Sequence, residues 1–201
     1  MKNNPKKINI VKAAQKRFAR HGLAKTTIEE IARDLRIGKG SIYHYYASKE
    51  DIYYDVIGFE IDRFVAEMKE ILSNPEVPLP ERRLALCLDF KLKAPEKYSL
   101  IYELVKLAFR DFPLERDLEN LHNLLKNEES AVLDFLKSNV DKKKFNPALA
   151  SMLIRQTWAF VLSEAFNKTF FDREQQPDNA QLPSAEEAAM FWETYFRELI
   201  F

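Results

Sequence analysis

Apolar residues recur along this chain at spacings of three and four, with no strand-like alternation of useful length, so the pattern predicts helices throughout. A first helix is expected over 6–21, where Ile8, Val11, Ala14 and Phe18 form one stripe and Gly22 supplies the stop. A short second helix starts behind Thr27, an N-cap with Glu30 three residues on, and turns Ile28, Ile31, Ala32 and Leu35 inward. After a tight break at Arg36-Ile37-Gly38 comes another short helix in "KGSIYHYY". Ser48 then caps a long helix, with Asp51 placed to reach back to the cap and Ile52, Val56, Phe59 and Phe64 behind it. The Pro-rich "SNPEVPLP" closes this first helical layer.

Beyond it, helices are expected over 80–93, 95–111, 114–139, 147–171 and 184–200. Pro80, Pro95, Pro113 and Pro147 each stand near a start, where a missing N–H is harmless. Ser184 and Glu187 repeat the capping-box spacing, and the polar "DREQQPDNAQLP" reads as a loop.

Composition sharpens this picture. At 201 residues, with 46% hydrophobic and 12% aromatic content, the chain can bury a real core in one domain or two small ones. Thirty-one basic and 31 acidic residues cancel, but unevenly. Residues 1–50 hold twelve basic and four acidic side chains, a net +8, which leaves −8 for residues 51–201. Such asymmetry points to nucleic acid or a membrane surface. No run approaches the ~18 apolar residues of a membrane span, and no secretory leader is evident at the N-terminus, so a cytoplasmic location without a membrane partner is expected. The single Cys87, in "LALCL", reads as a small core hydrophobe.

Two short helices joined by a tight turn, with a third before them, form a helix-turn-helix arrangement. A recognition helix needs small residues where its backbone nears the duplex, and Gly40 and Ser41 supply them. It also needs groups that meet bases and phosphates, which Lys39, Ser41, Tyr43, His44 and Tyr45 provide. Lys49 lies in the first turn of the next helix, the unfavourable end for a cation, which suggests a phosphate partner. The basic "KNNPKK" is either a solvated tail or an arm on DNA.

With Ala13-Ala14, Phe18, Gly22, Thr26-Thr27, Ile28, Ile31-Ala32 and then "GKGSIYHYYASKEDI" from Gly38 to Ile52, the sequence resembles the TetR family of bacterial transcriptional regulators. The likeness covers about a quarter of the chain. It implies an all-α fold: a three-helix helix-turn-helix DNA-binding domain at 1–50, and a larger helical ligand-binding and dimerisation domain at 51–201. It further implies a homodimer on a double-stranded operator, with a small-molecule effector and no cofactor. By position, Thr27, Lys39, Gly40, Ser41, Tyr43, His44, Tyr45 and Lys49 would contact DNA, while Ala13, Phe18, Ile31, Ile42 and Tyr46 would be core. Where the family usually has Gly in the turn this chain has Arg36, and where it has a Ser cap this chain has Gly38. Arg36 therefore either takes a positive φ at a cost or reshapes the turn.

For the C-terminal domain the resemblance adds an apolar cavity, with Tyr98, Tyr102, Phe109 and Trp158 as lining candidates and Arg155 or Gln156 as polar anchors. The helices over 147–171 and 184–200 are apolar nearly all round, so they are expected to be buried on every side in a four-helix dimer interface carrying Phe166, Phe170, Phe191, Trp192 and Tyr195. Glu128 and Glu129 read as a solvated helix face. His21 and His122 have no metal-ligand spacing around them, and no nucleophile–base pair or phosphate loop supports an enzyme. The expected function is a DNA-binding regulator, a repressor released by a largely apolar molecule. The alternative is a ligand-independent DNA-organising or partner-binding protein on the same fold.

Overall fold

The computed structural model describes residues 4–107, 114–170 and 185–200, excluding the side chains of 107, 164–170, 185–189 and 199. All regular structure among the described residues is helical: α1 (Pro5–Lys25), α2 (Ile28–Asp34), α3 (Lys39–Tyr43), α4 (Lys49–Ser73), α5 (Pro80–Lys93), α6 (Ser99–Leu107), α7 (Glu115–Asn139), α8 (Ala148–Phe170) and α9 (Ala185–Ile200). The expected cap at Ser184 and the polar loop before it lie outside the described residues. One start is displaced. Pro95 sits in a 3-10 turn, Ala94–Glu96, and α6 begins four residues later at Ser99, because a Pro tolerated at a helix start is tolerated equally in a short turn.

Local chemistry sets the other boundaries. Asn4 caps α1, its Oδ1 accepting from the Lys6 N–H at 3.0 Å, with Pro5 in the first turn. Gly22 breaks α1 rather than ending it. At φ 72 and ψ 172 it occupies a region almost closed to other residues, and helical structure resumes to Lys25. The Thr27 and Ser48 capping boxes both form: Thr27 Oγ1 accepts from the Glu30 N–H, and Ser48 Oγ from the Asp51 N–H at 3.1 Å, with each carboxylate returning to the cap N–H.

The chain makes two compact units, one of residues 1–63 with 98–122 and one of residues 64–97 with 123–201. The boundary expected at residue 50 falls in the first turn of α4, and the first unit also takes in α6. In that unit Ile10, Val11, Ala14 and Phe18 of α1 close on Ile28, Ile31 and Ala32 of α2, Ile42 of α3 and Ile52 and Val56 of α4. Each large apolar side chain so buried contributes about 1.5–3 kcal/mol. Phe18 meets Tyr53 edge to face at 5.2 Å. Ala13 and Leu35, expected inside, are half-buried.

In the second unit α5 packs on α8 and α9, and Met68, Leu84, Leu88, Val132, Leu136, Leu153, Val161 and Phe196 are buried there. Cys87 is buried as expected, and burial pushes its thiol up to about 12, so it stays protonated. The protomer alone leaves one side of α8 uncovered. Met152, Gln156, Ala159 and Ser163, at spacings of four, three and four, form an exposed stripe. On α9 Phe196 and Ile200 face inward, while Met190 and Phe191 are each 63% exposed in the protomer.

Candidate nucleic-acid interface and a buried charge pair

The recognition helix is set by its neighbours before any partner arrives. Arg36 takes the positive φ, 55°, and does not reshape the turn. Its N–H donates to the Arg33 carbonyl and the Ile37 N–H to the Ala32 carbonyl, each at 3.0 Å, which is the Schellman ending normally built around glycine. Arg17 then clamps α1 to α2, its Nε and Nη2 each 2.7 Å from an Asp34 oxygen. Beyond α3, the Tyr46 hydroxyl donates to Asp55 at 3.0 Å, and Lys7 pairs with Asp55 at 2.7 Å with its ammonium 4.9 Å from the Tyr46 ring centre. Burial pushes the Tyr46 phenol well above its ordinary range, with Asp55 adding to the rise, so it remains a donor. Since Arg36 is exposed and its backbone is strained, Arg36→Gly is expected to stabilise the fold by about 0.5–1 kcal/mol. A urea melt with a raised midpoint and unchanged slope reads this. A lowered midpoint would mean that the guanidinium contributes more than its backbone costs.

That frame buries Ile42 and Tyr46 and turns Lys39, Gly40, Ser41, Tyr43 and His44 outward, with Tyr45 and Lys49 half-buried. Tyr43 is 46% exposed, so the three clustered tyrosines do divide between core and surface. Gly40 is not required by packing, because a Cβ there would meet nothing within 4 Å. What its absence provides is bare backbone on the outer face. Lys39 pairs with Glu29 of α2 and lies 5.5 Å from the Tyr43 ring centre; the ammonium holds the Glu29 carboxyl below its usual range. Glu29, ten residues from Lys39, had no local signal in the sequence. Thr27 is exposed, and its hydroxyl is engaged by Glu30. Between α1 and α3 runs a groove of about 450 Å³, with Lys6 and Asn9 on one wall and Ile37, Gly40, Ser41 and His44 on the other. Asn9 was missed by the sequence reading, although it stands three residues from Lys6 on one helical face.

A cationic, partly bare-backbone surface on a clamped helix-turn-helix is built to meet a polyanion. The sequence model described as bacterial regulatory proteins, tetR family, matches residues 10–56. The match covers about a quarter of the chain and coincides with the helix-turn-helix. Among its relatives, the HTH-type transcriptional repressor KstR2 of Mycobacterium tuberculosis (strain H37Rv) is 24% identical over 79% of this chain and 80% of its own length. The fatty acid metabolism regulator protein of Bacillus subtilis (strain 168) is 22% identical over 76% of this chain and 77% of its own. A transcriptional regulator from Cytophaga hutchinsonii shares the fold, with a TM-score of 0.68 at 24% identity over 98% of this chain and 99% of that one. Each of these three relatives is itself named as a transcriptional or metabolic regulator.

In the second unit the most unusual feature is ionic. Glu128 is wholly buried, which corrects its reading as part of a solvated face. It lies on the inward stripe Asp117, Leu121, Leu124, Glu128, Ala131 and Phe135, a spacing visible in the sequence once α7 is taken as a whole. Lys91 of α5, 3% exposed, places Nζ 3.1 Å from Glu128 Oε1 and donates to Thr157 Oγ1 at 3.1 Å. Glu128 Oε2 accepts from the Trp158 indole N–H at 2.6 Å, and the ammonium lies 4.9 Å from the Trp158 ring centre. Of the proposed cavity-lining residues, Tyr98 and Tyr102 are buried in the first unit and Trp158 in the second, while Phe109 lies outside the described residues. Gln156 accepts from the Tyr195 hydroxyl at 3.2 Å and Arg155 bonds Ser151, so both polar anchors are engaged on the outer side of α8. Trp192 and Tyr195 are half-buried, and the Phe166 and Phe170 side chains lie outside the described residues.

Proposed function

We propose that this regulator is a cytoplasmic, homodimeric repressor that leaves its double-stranded operator when a largely apolar small molecule binds. Residues 1–50 are the DNA-binding domain, and residues 51–201 serve ligand binding and dimerisation. The observation that carries the reading is the outward set Lys39, Gly40, Ser41, Tyr43 and His44 on a helix whose reverse side is locked by Ile42 and Tyr46. Lys39, Tyr43, His44 and Tyr45 meet base edges and phosphates in the major groove, Gly40 and Ser41 allow close approach, and Thr27 and Lys49 hold phosphates. Lys49 begins α4, the helix end where a cation gains nothing from the dipole, which supports a phosphate partner. The groove beside Lys6 and Asn9 suits the adjoining sugar–phosphate backbone. Ligand acts by population shift, favouring a conformer with poor operator affinity. The relative named for fatty acid metabolism makes acyl compounds the first class to try.

The test begins with DNA selected from a random pool. Tyr43→Ala is expected to weaken binding of the selected sequence by about 5- to 100-fold, as loss of a base contact does. Lys49→Ala should weaken selected and unrelated DNA alike and lower the salt slope by about one. Unchanged affinity at fixed salt in folded variants would sink the assignment of these side chains.

A further inference from the structure

Within the first unit the start of α4 is held from two directions. On one side Asp55 accepts from the Tyr46 hydroxyl and pairs with Lys7, which ties the second turn of α4 to the helix-turn-helix. On the other side the tie comes from α7: Arg116, 65 positions along the chain, donates from Nη1 to Asp51 Oδ1 at 2.8 Å. Asp51 divides its two oxygens between different tasks. Oδ2 accepts from the Ser48 N–H at 3.1 Å and closes the cap of α4, while Oδ1 faces Arg116. The guanidinium also lies 4.2 Å from the centre of the Tyr54 ring, one turn further on. Arg116 first and Ser48 second hold the Asp51 carboxyl below the usual carboxylate range, so it stays charged at neutral pH.

Helix chemistry gives no reason for an arginine at this position. Arg116 stands in the first turn of α7, where the dipole disfavours a cation, and adjacent Glu115 and Asp117 do not share its face. Both members of the pair are well exposed, so the pair contributes little to holding the fold together. What it can do is geometric. A planar guanidinium bonded to one oxygen and laid over one ring sets the direction in which α4 begins. Lys49 lies in that same turn, and Ser48 ends the short connection from α3.

We propose that Arg116 is a positioning residue for DNA recognition: by holding Asp51 it fixes the start of α4, and with it the angle at which α3 and Lys49 are presented. It touches no DNA itself. The proposal rests on the DNA-binding reading and adds to it a residue outside the helix-turn-helix. Without the tie, the α3–α4 connection samples directions in which the base contacts and the Lys49 contact are not made together, and ordering it on binding costs affinity. Base contacts depend on direction and general attraction to phosphates does not, so the loss falls on the preferred sequence.

The full chain is titrated with DNA selected from a random pool and with an unrelated duplex of equal length. Arg116→Ala is expected to weaken binding of the selected DNA by about three- to fivefold, the range open to one exposed ion pair, and to leave the unrelated duplex and the salt slope unchanged. Asp51→Asn keeps an acceptor for the Ser48 N–H but removes the charge, and should lose a similar factor. Combined with Arg116→Ala it should lose no more than either alone. Parental affinity for the selected DNA in Arg116→Ala overturns the proposal, as does additivity of the two substitutions. An equal loss on both duplexes also overturns it: a salt slope lower by about one would make Arg116 a phosphate contact, and a lowered urea midpoint would make it a prop of the fold. In each of these cases the parent still selects and binds DNA, so the DNA-binding reading stands. A parent that enriches no sequence removes both.

Discussion

Lys91→Met is expected to destabilise the second unit by about 3–5 kcal/mol, the cost of stranding a buried carboxylate without its cation. Glu128 has no exposed surface, and Lys91 Nζ is the cation beside its Oε1, which makes no well-aligned hydrogen bond of its own. The Trp158 N–H on Oε2 cannot hold the full charge alone. A loss of this size is a large share of the roughly 5–15 kcal/mol that typically holds a folded protein together. The double replacement Lys91→Met/Glu128→Leu removes both charges and fills similar volume, so it should recover most of the loss and approach or exceed the parent. Urea unfolding of the parent, both single variants and the double variant forms the required cycle. A single-variant loss below about 1 kcal/mol would show that Glu128 finds compensation elsewhere. A double variant as unstable as the singles would show that Lys91 and Glu128 act through packing and not as a pair.

The same pair marks where sequence reading stopped. The helix-turn-helix was legible because its information is local: Thr27 with Glu30, Ser48 with Asp51, and a stripe from Val11 to Phe18 all lie within a few turns. Arg36 was legible only as a choice, since a residue type does not fix φ; the Ile37 and Arg36 hydrogen bonds to α2 decide it. Glu128 was misread because residue identity outweighed register. Two adjacent glutamates suggest solvent, yet the three-and-four spacing from Leu121 and Leu124 puts the first of them inside. Its cation stands 37 positions earlier, and no pattern within α5 or α7 pairs the two. Glu29 and Lys39 pair across a helix-helix turn for the same reason. The outer faces of α8 and α9 were recognised as apolar, but hydrophobicity alone does not say which side meets the protomer's own core. Burial of Phe196 and Ile200 fixes that for α9 and leaves Met190 and Phe191 facing outward.

Phe191→Glu is expected to dissociate the protein into monomers at micromolar concentration and to lower affinity for the selected DNA by about 10²- to 10⁴-fold, the advantage lost when two linked contacts become one. Phe191 is 63% exposed in the protomer, so the substitution should leave folding stability within about 0.5 kcal/mol. Its ring stacks at 6.4 Å on Tyr195 and meets Trp192 edge to face at 5.5 Å, extending an aromatic surface that Trp192 continues to Phe160 of α8 at 5.2 Å. An apolar surface of this kind, with Met190 beside it and the exposed Met152 and Ala159 on α8, is what a second copy would cover. In a two-fold interface every substitution counts twice, so two phenyl rings are lost and two carboxylates must be desolvated. Each ring carries about 150–250 Å² of burial. Sedimentation velocity reads the assembly, far-ultraviolet circular dichroism confirms the fold, and DNA titration at fixed salt reads the functional cost. A folded Phe191→Glu dimer with parental operator affinity would place the subunit interface elsewhere. A folded monomer that still binds the selected DNA at full strength would mean that one recognition helix suffices.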